Sequence, residues 1–362
     1  MLTILADDLT GACDTGALFA GKAAVPVTVW PQRPGRGPVR VLDTESRALG
    51  PAEAARRLET AARPAPGARY FKKIDSTLRG HVAIEVDALL RASGRASALL
   101  APAFPGQGRT VLDRILLVDG TPIAETAIGR DPEFPGPGTS NVVDLLRSGL
   151  DRPLAWIPID HVRAGPSSLA ARLKRLSGTV AVADAETDDD LATLVDAALA
   201  LDPAPLLSGS AGLARALAAH LGVLAEPVAL PTLRRWLLVA GSRHPATRAQ
   251  IVAARDAGIR VLASVPEESA EREQVAMQLA AEARDLLERE RFDLVAVTGG
   301  QTAVALYRAL GAERIDLVGA PGPGLALGNL RAPRHPTLPI LTKAGAFGAP
   351  DLFVSLLREV SV

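Results

Sequence analysis

The opening sixteen residues, MLTILADDLTGACDTG, constrain the fold more than any other stretch. A short apolar run, Leu2 to Leu5, ends on two adjacent carboxylates, Asp7 and Asp8. Thr10-Gly11 then opens a helix-like segment that closes near Gly21-Lys22. An apolar strand ending in a polar turn that starts a helix is the first βα unit of an α/β sheet. Ligands of such sheets gather at the carboxyl ends of the strands. Two carboxylates there cannot serve an apolar core, because an unpaired buried charge costs several kcal/mol. A single Asp at this place serves equally well as a helix cap. The pair beside Thr10, Gly11 and Asp14 weighs toward a site.

The alternation continues. Val25–Trp30, Val39–Leu42, Tyr70–Ile74 and Ala98–Leu100 read as strands, and Pro51–Ala62 and Val82–Arg91 as helices. Val111, Ile115, Leu116, Leu117 and Val118 run into Asp119-Gly120, the signal of a β-hairpin projecting from the sheet. The Gly/Pro-rich segment that begins at Asp131-Pro132 reads as a loop and candidate lid. Asp188-Asp189-Asp190 resembles a metal cluster, but fits better as the acidic first turn of a helix over Leu191–Leu201. Gly222–Leu233 holds two prolines, lacks helical periodicity and precedes a fresh strand at Trp236–Val239. The reading is an α/β protein of two α/β domains with mainly parallel sheets, the N-terminal one carrying the inserted hairpin. The domains are expected at 1–228 and 229–362, since 362 residues exceed one comfortable core.

Forty basic and forty acidic residues cancel, and no basic run defines a face, which argues against nucleic acid or an anionic membrane as partner. Cys13 is the only cysteine, so neither an internal disulfide nor a cysteine metal cluster is available. With no basic leader and no apolar run near ~20 residues, the expected location is the cytoplasm.

Four glycine-rich segments punctuate the C-terminal part: Gly241-Ser242-Arg243-His244-Pro245, Thr298-Gly299-Gly300-Gln301-Thr302, Gly319–Gly324, and Thr342-Lys343-Ala344-Gly345-Ala346-Phe347-Gly348. Each follows a strand, and two stand at strand-to-helix turns, where free N–H groups and the helix dipole favour phosphate. Gly11 and Gly16 have P-loop spacing, but Ala17-Leu18 stand where Lys-Ser/Thr is required. Gly322 and Gly324 lack the rest of a dinucleotide fingerprint. The five histidines have no zinc spacing.

LADDLTGACDTG, TESRAL, KKIDSTLRG, APAFPGQGRT, GS-x-x-P-x-T-x-x-Q from Gly241 to Gln250, VTGGQTA, and TKAGAFG-x-x-D from Thr342 to Asp351 occur in this order. Together they resemble the four-carbon acid sugar kinases, which include threonate, erythronate and 3-oxo-tetronate kinases. The resemblance spans nearly the whole chain. It implies an N-terminal acid-sugar-binding domain, a C-terminal nucleotide-binding domain, and ATP-dependent phosphorylation of a hydroxyl on a four-carbon sugar acid. A small-molecule sugar acid and ATP are then the partners, with a homodimer as the candidate assembly.

A four-carbon hydroxy acid offers a carboxylate, suited to Arg or Lys, and hydroxyls, suited to Asp. Arg47, Lys73 and Arg79 are candidates for the first, Asp8, Asp75 and Ser76 for the second. The resemblance points to the same acid-binding places: Asp8, Arg47 and the Lys73–Ser76 turn. Phosphoryl transfer needs positioning, charge neutralisation and a base near the attacking hydroxyl. Asp75 is the candidate base and Asp8 the runner-up. Lys72 reads as a solvated surface lysine. The resemblance places Ser242, Gly299, Gly300, Gln301, Thr302, Lys343 and Gly345 on ATP. Mg2+ is implied by the reaction, with no ligand cluster legible in the sequence. The ATP half departs from the family pattern at Gln301, where Glu is usual, at Gly319–Gly324, which lacks an acidic residue, and at Ala346, where Asn is usual. The substrate half departs at His81, where Asn is common. These departures leave one alternative, a weak pseudokinase that senses the acid or the nucleotide. A nicotinamide-linked oxidoreductase has no fingerprint in its favour.

Overall fold

The computed structural model describes residues 1–62, 68–130, 138–147, 149–230, 235–242, 244–264, 272–344 and 347–360. The candidate lid after Arg130 begins outside them. By contacts the chain forms two units. One comprises Met1–Asp7 with Leu42–Leu224, and the other Asp8–Val41 with Ala225–Val362. The division differs from a single boundary near residue 228, because Asp8–Val41 packs with the C-terminal part.

The first unit is built on a wholly parallel sheet. Its strands lie in the order Leu2–Ala6, Arg69–Lys73, Leu206–Gly209, Ala98–Ala101, Val180–Ala183, Leu154–Ile157. The interior strands are buried on both faces, hence their near-continuous apolar runs such as Val180-Ala-Val-Ala. Leu5 aligns with Lys72, Lys73 with Gly209, and Gly209 with Ala101, so the carboxyl ends of four strands are level. The polar residues that follow, Asp7 and Asp75 among them, therefore emerge at one edge.

The projecting hairpin is present as a three-stranded sheet of Arg109–Leu112, Ile115–Val118 and Thr121–Pro122. Asp119-Gly120 makes its second turn, as the sequence predicts. The first turn is Asp113-Arg114, two non-glycine residues at φ 49 and 71. Asp184 holds that turn from outside, its carboxylate accepting from the N–H of Asp113 at 2.9 Å and of Arg114 at 3.1 Å. The aspartate run proves a helix start: in Asp188–Leu199 a capping box joins Thr187 and Asp190.

In the second unit the strands run Arg260–Ala263, Trp236–Ala240, Leu294–Thr298, His335–Lys343, Leu325–Ala332, Arg314–Gly319, Val25–Val29. The first four are parallel and each of the last three is antiparallel to its predecessor. Trp236, Leu238, Leu294, Leu341 and Phe353 belong to a core on one face of this sheet. The helix Leu9–Ala17 is part of this unit, and Gly16 lets it come close. A Cβ on Gly16 would stand 2.7 Å from Leu317 and 2.9 Å from Val41. The glycine that gives a P-loop spacing thus serves packing. No described helix is long and apolar enough to cross a membrane.

Candidate active site

In the first unit the candidate site side chains come from four segments that end or begin at the level edge of the sheet. Asp7, 2% exposed, follows the strand Leu2–Ala6. It accepts both forks of the Arg47 guanidinium, Nε at 2.8 Å and Nη2 at 2.9 Å. Burial alone would raise the Asp7 carboxyl, but the charge and hydrogen bonds of Arg47, with Lys72 and Lys73 behind them, hold it below its ordinary range. Gly80, at φ +88, closes against this pair: a Cβ there would lie 3.0 Å from Asp7 Oδ2 and 3.4 Å from Arg47 Cγ. The glycine of the KKIDSTLRG motif is therefore required by both conformation and space.

Asp75 follows the strand Arg69–Lys73 and is 8% exposed. Arg79 Nε donates to its Oδ2, Arg79 Nη2 reaches Oδ1 at 3.3 Å, and Thr77 Oγ1 donates at 2.7 Å. Burial opposes ionisation, yet the charges of Arg79 and Arg47 and the hydrogen bonds of Arg79 and Thr77 overcome it. The Asp75 carboxyl lies far below the usual carboxylate range. Lys73, 6% exposed, donates to the Ile74 carbonyl at 2.8 Å, and Ser76 is 8% exposed in the same turn. Arg109, at the start of the hairpin sheet, lies in the fields of Asp119, Asp75 and Arg79, and burial lowers its pKa. The structure thus gathers Arg47, Lys73, Asp75, Ser76 and Arg79, and adds Asp7, which the sequence reading flagged beside Asp8 but gave no role, and Arg109, which it did not select. The APAFPGQGRT motif was the available signal for Arg109.

Two placements differ from expectation. Lys72 is not a solvated surface lysine: it is 0% exposed and ion-paired to Glu85 at 2.9 Å. Asp8 belongs to the other unit, where it caps the helix Leu9–Ala17, accepting from Gly11 N at 3.1 Å and Thr10 Oγ1 at 2.6 Å. Of the adjacent pair it is Asp7 that joins Arg47, and Asp8 that fills the helix-cap role.

In the second unit, Ala240 aligns with Thr298 and Thr298 with Lys343, so three neighbouring parallel strands end level. Their following residues meet. A Cβ on Gly241 would fall 2.0 Å from Thr302 Oγ1, and one on Gly299, at φ +100, would stand 3.4 Å from Ser242 N. Gly300 begins the helix Gly300–Ala309, and a Cβ on it would lie 2.9 Å from Asp8 Oδ2. Gln301 is exposed, and Thr302, 3% exposed, turns inward. Lys343 is 1% exposed and donates to the carbonyls of Ala344 at 2.8 Å and Phe347 at 2.9 Å. Burial pulls its pKa down to about 7. Gln250 donates to the carbonyls of Phe347, Gly348 and Ala349, each at 3.0 Å, bracing the same loop. Gly345 lies outside the described residues, as does Ala346. Among the described residues no three His, Cys, Asp or Glu side chains group as a metal site.

The sequence matches the family descriptions Sugar-binding N-terminal domain over residues 2–217 and Nucleotide-binding C-terminal domain over residues 263–353. It is 31% identical to the D-threonate kinase of Salmonella typhimurium, over 99% of this chain and 98% of that protein. It is also 31% identical to the D-erythronate kinase of Heliobacterium modesticaldum, over 97% of this chain and 94% of that one. A solved structure from Bordetella bronchiseptica, of a domain of unknown function with bound citrate in a domain-swapped dimer, is 29% identical. It matches with a TM-score of 0.51 over 99% of this chain and 98% of that one.

Proposed function

Because the chain belongs to the four-carbon acid sugar kinases, we propose that it transfers the γ-phosphoryl group of ATP to a hydroxyl of a tetronate or 3-oxo-tetronate. The observation that carries this reading is the cluster of Arg47, Arg79 and Arg109 around Asp75, with Lys73 beside it in the field of Asp7, in the unit that matches the sugar-binding family. It offers cations to a carboxylate and an ionised carboxylate to a hydroxyl. The citrate bound by the Bordetella protein is a hydroxy acid of the same chemical kind, and its dimer makes a homodimer the assembly proposed here. The relatives named threonate and erythronate kinase differ in the acid, which leaves the choice among four-carbon acids to assay. With the Salmonella and Heliobacterium relatives both named kinases, turnover is a better reading than a sensor without it.

The mechanism follows from the paired charges. In the free site Arg79 occupies Asp75. An arriving substrate carboxylate gives Arg79 a second acceptor. As the guanidinium moves onto it, Asp75 loses the charge that depresses its pKa and becomes a stronger base for the sugar hydroxyl. Binding the acid therefore arms the base. On the nucleotide side, the N–H groups at the start of Gly300–Ala309 face phosphate with the helix dipole behind them, and the bare Gly300 allows the approach. Ser242, Gly299 and Thr302 shape that turn, Gln301 stands at its exposed rim, and Lys343 ends the neighbouring strand; Gly345, two positions on in the sequence, is proposed with it on ATP. Asp8 is the carboxylate beside Gly300 that would hold Mg2+ along with the phosphates, in keeping with the one or two carboxylates such sites use. When bound, Mg2+ supplies neutralisation of the phosphate charge.

ADP release coupled to a dehydrogenase, measured over the four-carbon acids, tests the activity. Turnover with at least one of them is expected. A folded protein that turns over none would support the sensor reading instead.

Lys343 gives this proposal a pH signature. With its free-state pKa near 7, it is mostly neutral at about pH 8, whereas a bound polyphosphate favours the ammonium form. ATP binding at about pH 8 should therefore take up close to one proton, and at about pH 6 almost none. Affinity should fall as pH rises through the free-state value. Calorimetry in buffers of different ionisation heat reads the uptake directly. Lys343→Met should abolish it, and an unchanged uptake in that variant would remove Lys343 from the phosphate site.

A further inference from the structure

Behind the sugar-acid cluster runs a buried polar chain that the reaction does not use. Lys72 is 0% and Glu85 1% exposed, and Lys72 Nζ lies 2.9 Å from Glu85 Oε2. The same ammonium donates to the Lys73 carbonyl at 2.8 Å. The other oxygen of Glu85, Oε1, accepts from Ser46 Oγ. Ser46 Oγ is 2.8 Å from Thr44 Oγ1, which also donates to the Ala6 carbonyl at 2.8 Å. The N–H groups of Ser46 and Arg47 both donate to the Asp7 carbonyl, at 3.1 and 3.2 Å. The strand Arg69–Lys73, the helix Val82–Ser93 and the end of the strand Leu2–Ala6 thus converge on residue 46, next to Arg47.

Apolar residues can replace a buried ion pair with little loss of stability or even a gain, so stability alone does not account for a charged pair here. What this pair provides, and apolar residues cannot, is a charged acceptor at a fixed point. A serine hydroxyl has one hydrogen to give. Given to Glu85, it fixes the Ser46 rotamer, and the hydrogen of Thr44 is left for Ser46 or Ala6. We propose that Glu85, oriented by Lys72, is a positioning residue of the sugar-acid site that acts through Ser46 on the Arg47 guanidinium. The proposal rests on the reading of Arg47 as a contact of the substrate carboxylate.

The test is the KM for the sugar acid at saturating ATP, read beside kcat. Arg47→Lys keeps a charge beside Asp7 but loses the planar fork, so it should raise KM on its own. If it does not, the reading of Arg47 fails and the proposal with it. Ser46→Ala leaves the Lys72–Glu85 pair in place and should raise KM about tenfold, the worth of a hydrogen bond to a charged group, with a smaller change in kcat. In the Arg47→Lys background the same change should add less than about twofold, because the two act as one unit. Additive effects, or no effect of Ser46→Ala while Arg47→Lys has one, overturn the proposal. A second comparison separates the acceptor from the charge. Lys72→Met with Glu85→Gln keeps an oxygen for Ser46 but loses its charge and the Lys72 contact that orients it, so it should raise KM by less than Ser46→Ala does. Lys72→Met with Glu85→Leu removes it and should reproduce the Ser46→Ala rise. Equal KM values in these two double variants would also sink the idea.

Discussion

Replacing Asp75 with Asn should lower kcat by on the order of 10²-fold or more, the usual worth of a positioned acid–base group. Asn keeps the size of the side chain and an oxygen for Thr77, so the turn Asp75–Arg79 retains its contacts apart from the ion pair. The Asp75 side chain is 11% exposed but Arg79 is 35% exposed, so when its partner is neutralised the guanidinium can turn to water rather than stay buried without a counter-charge. The fold should therefore survive and the loss be chemical. The pH profiles carry a second mark. In the free enzyme Asp75 is held far below the usual carboxylate range, so kcat/KM should have no acid limb from this group in the neutral range. Once the substrate carboxylate draws Arg79 away, the Asp75 pKa rises, and any acid limb in kcat should lie at higher pH than in kcat/KM. A change confined to KM in Asp75→Asn would make the residue a hydroxyl ligand and leave the base elsewhere.

Gly300→Val should abolish measurable ATP binding while acid binding at Arg47 and Asp75 survives. The first added carbon would already lie 2.9 Å from Asp8 Oδ2. Asp8 cannot easily move aside, since Thr10 and the Gly11 N–H hold its carboxylate. The branched side chain would stand over the first turn of Gly300–Ala309, where the free N–H groups must reach phosphate. The apolar face of that helix, with Val304, Tyr307 and Leu310 buried, is untouched. Calorimetry with ATP and with the acid separately gives both values. Parental ATP affinity in Gly300→Val would reduce this loop to a structural turn.

How far the sequence could be read depended on distance along the chain. Features set by neighbours within a few residues were legible. Asp119-Gly120 announced its turn, Thr187 with Asp190 its helix start, and the glycine-rich segments their places after strands. Features set by distant partners were not. Nothing near Lys72 in the sequence shows that Glu85, thirteen positions later on a helix, will take its charge into the interior. The turn Asp113-Arg114 has no glycine, and its stability comes from Asp184, some seventy residues away. Asp7 and Asp8 are chemically identical and adjacent. Only the close of the strand at Ala6 and the start of the helix at Leu9 decide which one meets Arg47 and which one caps.

The helix Leu9–Ala17 and the strand Val25–Val29 belong by packing to the C-terminal unit, and this bears on how such a protein can be inherited and rearranged. A gene fragment beginning near residue 225 would encode a nucleotide-binding unit without the strand that covers Arg314–Gly319, the helix that Gly16 seats against Leu317, and Asp8 beside Gly300. One recombination point therefore cannot hand this unit to another substrate partner. Exchange of the internal block Leu42–Leu224 alone would leave behind the strand Leu2–Ala6 and Asp7, which belong to the same unit and hold Arg47, so substitution within the sugar-acid unit is the simpler route to a new specificity.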